Sequence, residues 1–151
     1  MPVIVLITEI KAPMQKVFDL ARSVDLHQQS MQHTNEKAIA GKISGLIEQG
    51  ETVTWQAQHL FKVRQLTSKI TSMDAPYYFR DIMIEGDFKL MEHDHYFKTI
   101  AGGTEMKDVF KFKSPYGLLG SLVDWLFLKS YLKNLLIKRN NTLKRIAEAS
   151  F

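Results

Sequence analysis

The chain has 151 residues, of which 45% are hydrophobic and 24% charged, with 20 basic against 16 acidic side chains. That is the length and mix of one ordinary folded domain, and it excludes a disordered, fibrous or low-complexity chain. The absence of cysteine also excludes disulfide frameworks, thiol nucleophiles and cysteine metal sites. The first residues lack a basic stretch and a small-residue cleavage site, so no signal peptide is expected. No uncharged apolar run approaches the ~18 residues of a membrane span. A cytoplasmic protein with one domain over residues 1–151 is therefore expected. The positive excess lies in residues 116–151, where Lys129, Lys133, Lys138, Arg139, Lys144 and Arg145 face only Asp124 and Glu148. These charges have the spacing of a solvated helix face, not the dense, aromatic-interleaved stripe of a nucleic-acid binder, so no nucleic-acid partner is expected.

Val3 to Ile10 is apolar and β-branched and predicts a strand ending before Pro13. Pro13 suits the first turn of a helix, and Val17, Phe18, Leu20 and Ala21 follow at helical spacing. Asp25 is a candidate cap for a second short helix running to about Met31. From Lys37 to Ile47 the texture changes to period two, and Gln49-Gly50-Glu51 forms a turn. Further strands are predicted from Val53 to Phe61, Val63 to Met73, Tyr77 to Glu85 and Phe88 to Ile100. Ala101-Gly102-Gly103-Thr104 is a hairpin signal, and Glu105 to Lys113 is the returning strand. From Leu118 to Ala149 apolar residues recur at three- and four-residue steps, which predicts one long amphipathic helix. The order is one strand, two short helices, six consecutive strands and one long helix. Six strands on short turns are largely antiparallel, and the helix after them has one natural place, across the concave face of a curved sheet.

This order and the entry Ile10-Lys11-Ala12-Pro13-Met14-Gln15-Lys16-Val17-Phe18 resemble the START-related, birch-pollen-allergen-like helix-grip fold, the SRPBCC superfamily. The chain is similar to a bacterial ligand-binding, polyketide-cyclase-like branch of it through Val53-Thr54-Trp55-Gln56-Ala57-Gln58-His59, Gly86-Asp87-Phe88-Lys89, His93-Asp94-His95-Tyr96-Phe97, Gly103-Thr104-Glu105-Met106-Lys107-Asp108 and Ser114-Pro115-Tyr116-Gly117-Leu118-Leu119-Gly120. Asp87 stands where that branch usually has proline, in a turn. The resemblance implies an α+β fold with a seven-stranded curved antiparallel sheet around the long helix. It also implies a deep, mostly apolar cavity between sheet and helix. It does not name a ligand, because one fold serves many functions.

Residues two apart on a strand share a face. Met91, His93, His95, Phe97 and Thr99 form one set, and Val53, Trp55, Ala57, His59 and Phe61 another. With Gly102-Gly103 as the hairpin loop, Phe97 faces Asp108, His95 faces Phe110 and His93 faces Phe112, leaving Asp108 diagonal to His95. Three histidines and an aspartate among aromatics are unusual for a plain core, since a buried polar group without a partner costs about 1–3 kcal/mol. Three readings follow. The histidines satisfy one another in a packed polar cluster; or they orient the polar end of an apolar ligand; or His95 with Asp108, aided by His93, abstracts a proton beside a carbonyl, as an aromatase/cyclase acting on a polyketide-type substrate requires. His-x-His with a carboxylate also suits zinc or iron, but no fixed spacing leads to a third ligand, so no metal or cofactor is expected. Asp81 shares a face with Phe79 and Met83 and either joins the cluster or faces solvent. Arg80, His27 and His33 are expected at the surface.

The resulting expectation is a binding protein for a lipid, isoprenoid or polyketide, whether as carrier or sensor. Trp55, Phe97, Phe110, Phe112, Leu122 and Trp125 bury the apolar body, and His59, His93, His95 and Asp108 orient the polar end. Leu126 and Tyr131 join Leu122 and Trp125 in the cavity roof. A cyclase or dehydratase is the alternative. A protein-interaction module, using an exposed basic side of the last helix at Lys138 and Arg139, is the third. No transmembrane segment is expected, and transient membrane contact is left open.

Overall fold

The computed structural model describes residues 1–59, 61–115, 122 and 124–149, without the side chains of Asp124 and Trp125. In chain order it contains β1 (Val3–Ile10), α1 (Met14–Ala21), α2 (Val24–Ser30), β2 (Lys37–Gly41), β3 (Thr52–His59), β4 (Lys62–Asp74), β5 (Tyr78–Glu85), β6 (Leu90–Ile100), β7 (Gly103–Lys113) and α3 (Lys129–Ala149). The seven strands form one sheet in the order β1-β7-β6-β5-β4-β3-β2, antiparallel at every step. Short connections between consecutive strands force that arrangement, and the remaining step, from β1 to β7, is the one non-local pairing. This is the helix-grip α+β architecture.

Local differences from the sequence reading have identifiable causes. The cap of α2 is Ser23, whose hydroxyl accepts the Leu26 amide at 3.1 Å. Asp25 already lies inside the helix and accepts the Gly45 amide instead. The period-two texture of Lys37 to Ile47 continues past the strand, because pairing with β3 stops at Gly41. Phe61 leaves β3 altogether, fully exposed with a left-handed φ of 67°.

The β6–β7 turn decides what faces what. Its loop is Ala101-Gly102, with Ile100 opposite Gly103, so the register is displaced by two residues from the predicted one. Gly102 supplies the positive φ, 81°. Gly103 serves a different need: a Cβ there would lie 2.1 Å from the Ile10 carbonyl oxygen of β1. A two-residue displacement keeps every side chain on its face but changes its partner. His95 therefore faces Asp108, His93 faces Phe110 and Phe97 faces Met106.

The concave face carries two apolar clusters. One, beneath α1, α2 and the end of α3, is built on Phe18, Phe79, Phe97, Met106 and Leu143. The other joins Ile4, Phe110 and Phe112 to Leu128, Leu132 and Leu136 of the long helix and its approach. The carboxy-terminal part of α3 is fastened to β1 and α1: Lys144 Nζ donates to the Glu9 carbonyl, Lys16 Nζ to the Ala147 carbonyl, and the Lys11 amide to Glu148. A π-helical turn, Asp124–Leu128, precedes α3. A π turn inserts one residue into the helical repeat, so residues before it no longer share a face with Leu132 and Leu136.

Candidate functional site

Between the two apolar clusters the sheet carries a polar belt, and above it lies a cavity of about 600 Å³. Its walls include Val53, Trp55, Ala57 and His59 from β3, Asp81 from β5, His93 and His95 from β6, Phe110 from β7, and Tyr131, Leu132, Leu135, Leu136 and Arg139 from α3. Alternation on the strands and three- and four-residue steps on the helix aim these side chains at one space.

The belt is tightly connected. His93 Nε2 lies 2.8 Å from Asp108 Oδ1, and His95 Nε2 lies 2.8 Å from Asp81 Oδ2. His95 Nδ1 is 3.3 Å from Asp108 Oδ1. Asp108, fully buried and outside the cavity wall, also accepts Asn140 Nδ2 at 2.8 Å and sits 3.4 Å from Arg139 Nη1. Arg139 donates in addition to the Ala21 carbonyl and to Asn140 Oδ1. The imidazoles of His93 and His95 stack at 3.7 Å, and Phe79 stacks on the far side of His95 at 4.0 Å.

Burial favours the neutral form of each of these groups, but the contacts decide the outcome. Burial pushes the Asp108 carboxyl up, yet hydrogen bonds from His93 and His95 with the nearby Arg139 charge hold it well below the usual carboxylate range. For Asp81 burial is likewise overcome, chiefly by the bond from His95. Burial lowers His95, and its bonds to Asp108 and Asp81 reverse this, so its imidazolium is favoured. Burial and the charge of His95 together lower His93. The two carboxylates thus face the Arg139 guanidinium, and of the two rings His95 is the one whose charged form is favoured and His93 the one whose charged form is disfavoured. Its Nδ1 has no hydrogen-bond partner among the described residues.

The predicted site residues separate into groups. Trp55, His59, His93, His95 and Phe110 line the cavity, and Asp108 stands behind the histidines. Phe97 and Phe112 do not reach it, because they are packed in the apolar clusters at either end. Leu122 is 55% exposed and Leu126 68% exposed, and neither lines the cavity; the roof begins instead at Phe127 and Leu128. Tyr131 is in the roof, and its hydroxyl lies 2.7 Å from His59 Nδ1. The side chain of Trp125 lies outside the described residues.

Five residues were missed, misplaced or left unassigned by sequence reasoning. Arg139, read as a solvated cation, is 4% exposed and belongs to the belt, so the surface once assigned to Lys138 and Arg139 keeps only Lys138. Asn140 beside it is also buried. The signal was present: both fall on the apolar stripe that runs from Leu136 to Leu143. His27, expected at the surface, lines the cavity, stacks 4.3 Å from Trp55 and pairs with Glu36 at 2.6 Å. It shares a helix face with Val24 and Met31, spaced at three and seven residues. Asp81, left open between cluster and solvent, joins the cluster. On the outer face Arg80 is paired rather than merely solvated, with Glu92 at 2.7 Å.

The architecture is the helix-grip fold. Solved structures carry the same fold over nearly the whole chain. TTHA0849 of Thermus thermophilus superposes with a TM-score of 0.72 at 19% identity, covering 94% of this chain and 97% of that one. Ms6760 of Mycobacterium smegmatis gives 0.73 at 15% identity, covering 99% and 92%. The major latex-like protein 151 of Panax ginseng gives 0.70 at 14% identity, covering 97% of each chain. No protein-family model and no curated protein matches the sequence. No helix among the described residues is long and apolar enough to cross a membrane.

Proposed function

We propose that the protein binds a hydrophobic small molecule, of the lipid, isoprenoid or polyketide class, in the cavity between sheet and helix. The observation that carries this reading is the cavity itself: about 600 Å³, walled mainly by aliphatic and aromatic side chains, with His59, Asp81, His93 and His95 among its polar lining. That size and lining are typical of sites for small organic ligands. Trp55, Phe110, Leu132, Leu135 and Leu136 enclose the apolar body, and His59, His93 and His95 meet the polar end. Asp108 holds both belt histidines from behind and does not touch the ligand.

The proton-abstraction alternative gains less support. His95 has Nε2 on Asp81, and its Nδ1, buried and without a hydrogen bond, is turned toward Asp108 behind the cavity wall and not toward a substrate. The test is mass spectrometry of the purified protein, native and then solvent-extracted. A discrete bound molecule is expected, and Ala57→Phe, which fills part of the cavity, should lose it. A clean unliganded mass, with no thermal stabilisation by a panel of lipids and polyketides, overturns the reading.

A further inference from the structure

Among the described residues, Asp81, His93 and His95 bring one ligand atom each to within 4.8 Å of one another. We propose that these three residues form a binding site for a divalent transition-metal ion of the zinc or ferrous type, ligated by His93 Nδ1, His95 Nε2 and an Asp81 carboxylate oxygen, with the cavity supplying the open positions. Two imidazoles and one carboxylate on one side of an ion, the other side open, is an established donor set for such metals.

Several independent features agree. His93 has committed Nε2 to Asp108, 2.8 Å away, and no hydrogen bond to its other nitrogen is present among the described residues. His95 turns Nδ1 toward the same Asp108 oxygen at 3.3 Å. Each ring therefore presents one nitrogen to a buried carboxylate and the other to the proposed ion, as histidine ligands of metals ordinarily do. Asp108 is in turn held by Asn140 and Arg139, so the supporting shell is anchored on a second element. On the ligand side, His95 Nε2 and Asp81 Oδ2 are 2.8 Å apart. Two donors at about 2.1 Å from one ion and a right angle apart are separated by about 3 Å, so the ion replaces the proton these atoms share. In a set that occupies one side of the ion every pair of donors stands about 3–3.4 Å apart, so the pair now up to 4.8 Å apart closes by as much as about 1.5 Å through side-chain rotation. All three residues line the cavity, which gives the ion a path in. The third ligand lies on a different strand, placed directly across from His93 by the β5–β6 register, and so has no sequence spacing to betray it.

This inference does not rest on an organic ligand being bound. Chelator-treated protein is titrated with Zn²⁺ by calorimetry and with Co²⁺ by visible absorption. One equivalent is expected, with a dissociation constant of about 1 μM or tighter. Asp81→Asn should weaken it on the order of a hundredfold, and Asp108→Asn about 10- to 100-fold by loosening both rings. His33→Gln, at an exposed position away from the cluster, should leave it unchanged. Imidazole nitrogen NMR of the wild-type chain is the readout that needs no variant to fold: Zn²⁺ should shift His93 Nδ1 and His95 Nε2 and leave His33 unmoved. Absence of binding, wild-type affinity in Asp81→Asn, or unmoved His93 and His95 signals would overturn the proposal.

Discussion

Asp108→Asn is the sharpest probe of the belt. The side chain is fully buried and meets His93, His95, Asn140 and Arg139. Asparagine keeps the shape but removes the charge, leaving a guanidinium that is 4% exposed without its carboxylate. Removing one member of a buried ion pair costs about 3–5 kcal/mol. The Arg139 contact is long, at 3.4 Å, and Arg139 keeps the Ala21 carbonyl and Asn140, so the lower end applies: about 3 kcal/mol. For a chain of this size that is a fall in Tm of roughly 6–12 °C. Urea unfolding at neutral pH with chelator present, followed by tryptophan fluorescence and circular dichroism, measures it. Adding Arg139→Met to Asp108→Asn removes the stranded charge, so the double variant should be more stable than the sum of the single losses by about 1–3 kcal/mol. A single variant within about 0.5 kcal/mol of wild type, or strict additivity, would refute the charge-balance account.

Gly103→Ala drives a methyl group into the Ile10 carbonyl and must push β1 from β7; a loss greater than about 1 kcal/mol is expected in urea unfolding, and wild-type stability would contradict the close approach. Ser23→Ala removes the α2 cap and should cost about 1 kcal/mol, more than Asp25→Ala; the reverse ranking would restore Asp25 as the cap. Burial lowers the His59 imidazole below its usual 6.5, so the folded state resists its protonation. Its contribution to stability is present above that value and is lost as pH falls toward the depressed folded value. The non-titrating His59→Gln should therefore lose less stability than wild type between about pH 7 and about pH 5, and parallel pH profiles would count against this.

The belt was only partly legible because its members were recognisable by different kinds of signal. His93, His95 and Asp108 stood out through strand alternation alone. Asp81 did not, because alternation gives a face and not a cross-strand partner. Arg139 carried a misleading signal, since a cation on an amphipathic helix is ordinarily solvated and only the carboxylate beneath it reverses that expectation. The two-glycine turn left the β6–β7 register ambiguous by one loop position, which moved the partners of His95 and His93 two residues along β7, from Phe110 to Asp108 and from Phe112 to Phe110, while sparing their face.

By itself the sequence determined what depends on local periodicity and chain connectivity. These were the seven strands, the two short helices, the long terminal helix, and the antiparallel order that short turns impose. Composition also settled that thiol chemistry is absent. Only the tertiary structure decided the rest: that Gly103 is needed for contact with β1 and not for the turn, that Leu122 is exposed while the cavity roof begins at Phe127, and that Arg139 is buried. These outcomes depend on approach distances between elements far apart in sequence. A histidine becomes an orienting group, a ligand or an ion-pair partner according to what lies within about 3 Å of each nitrogen, and no local pattern carries that distance.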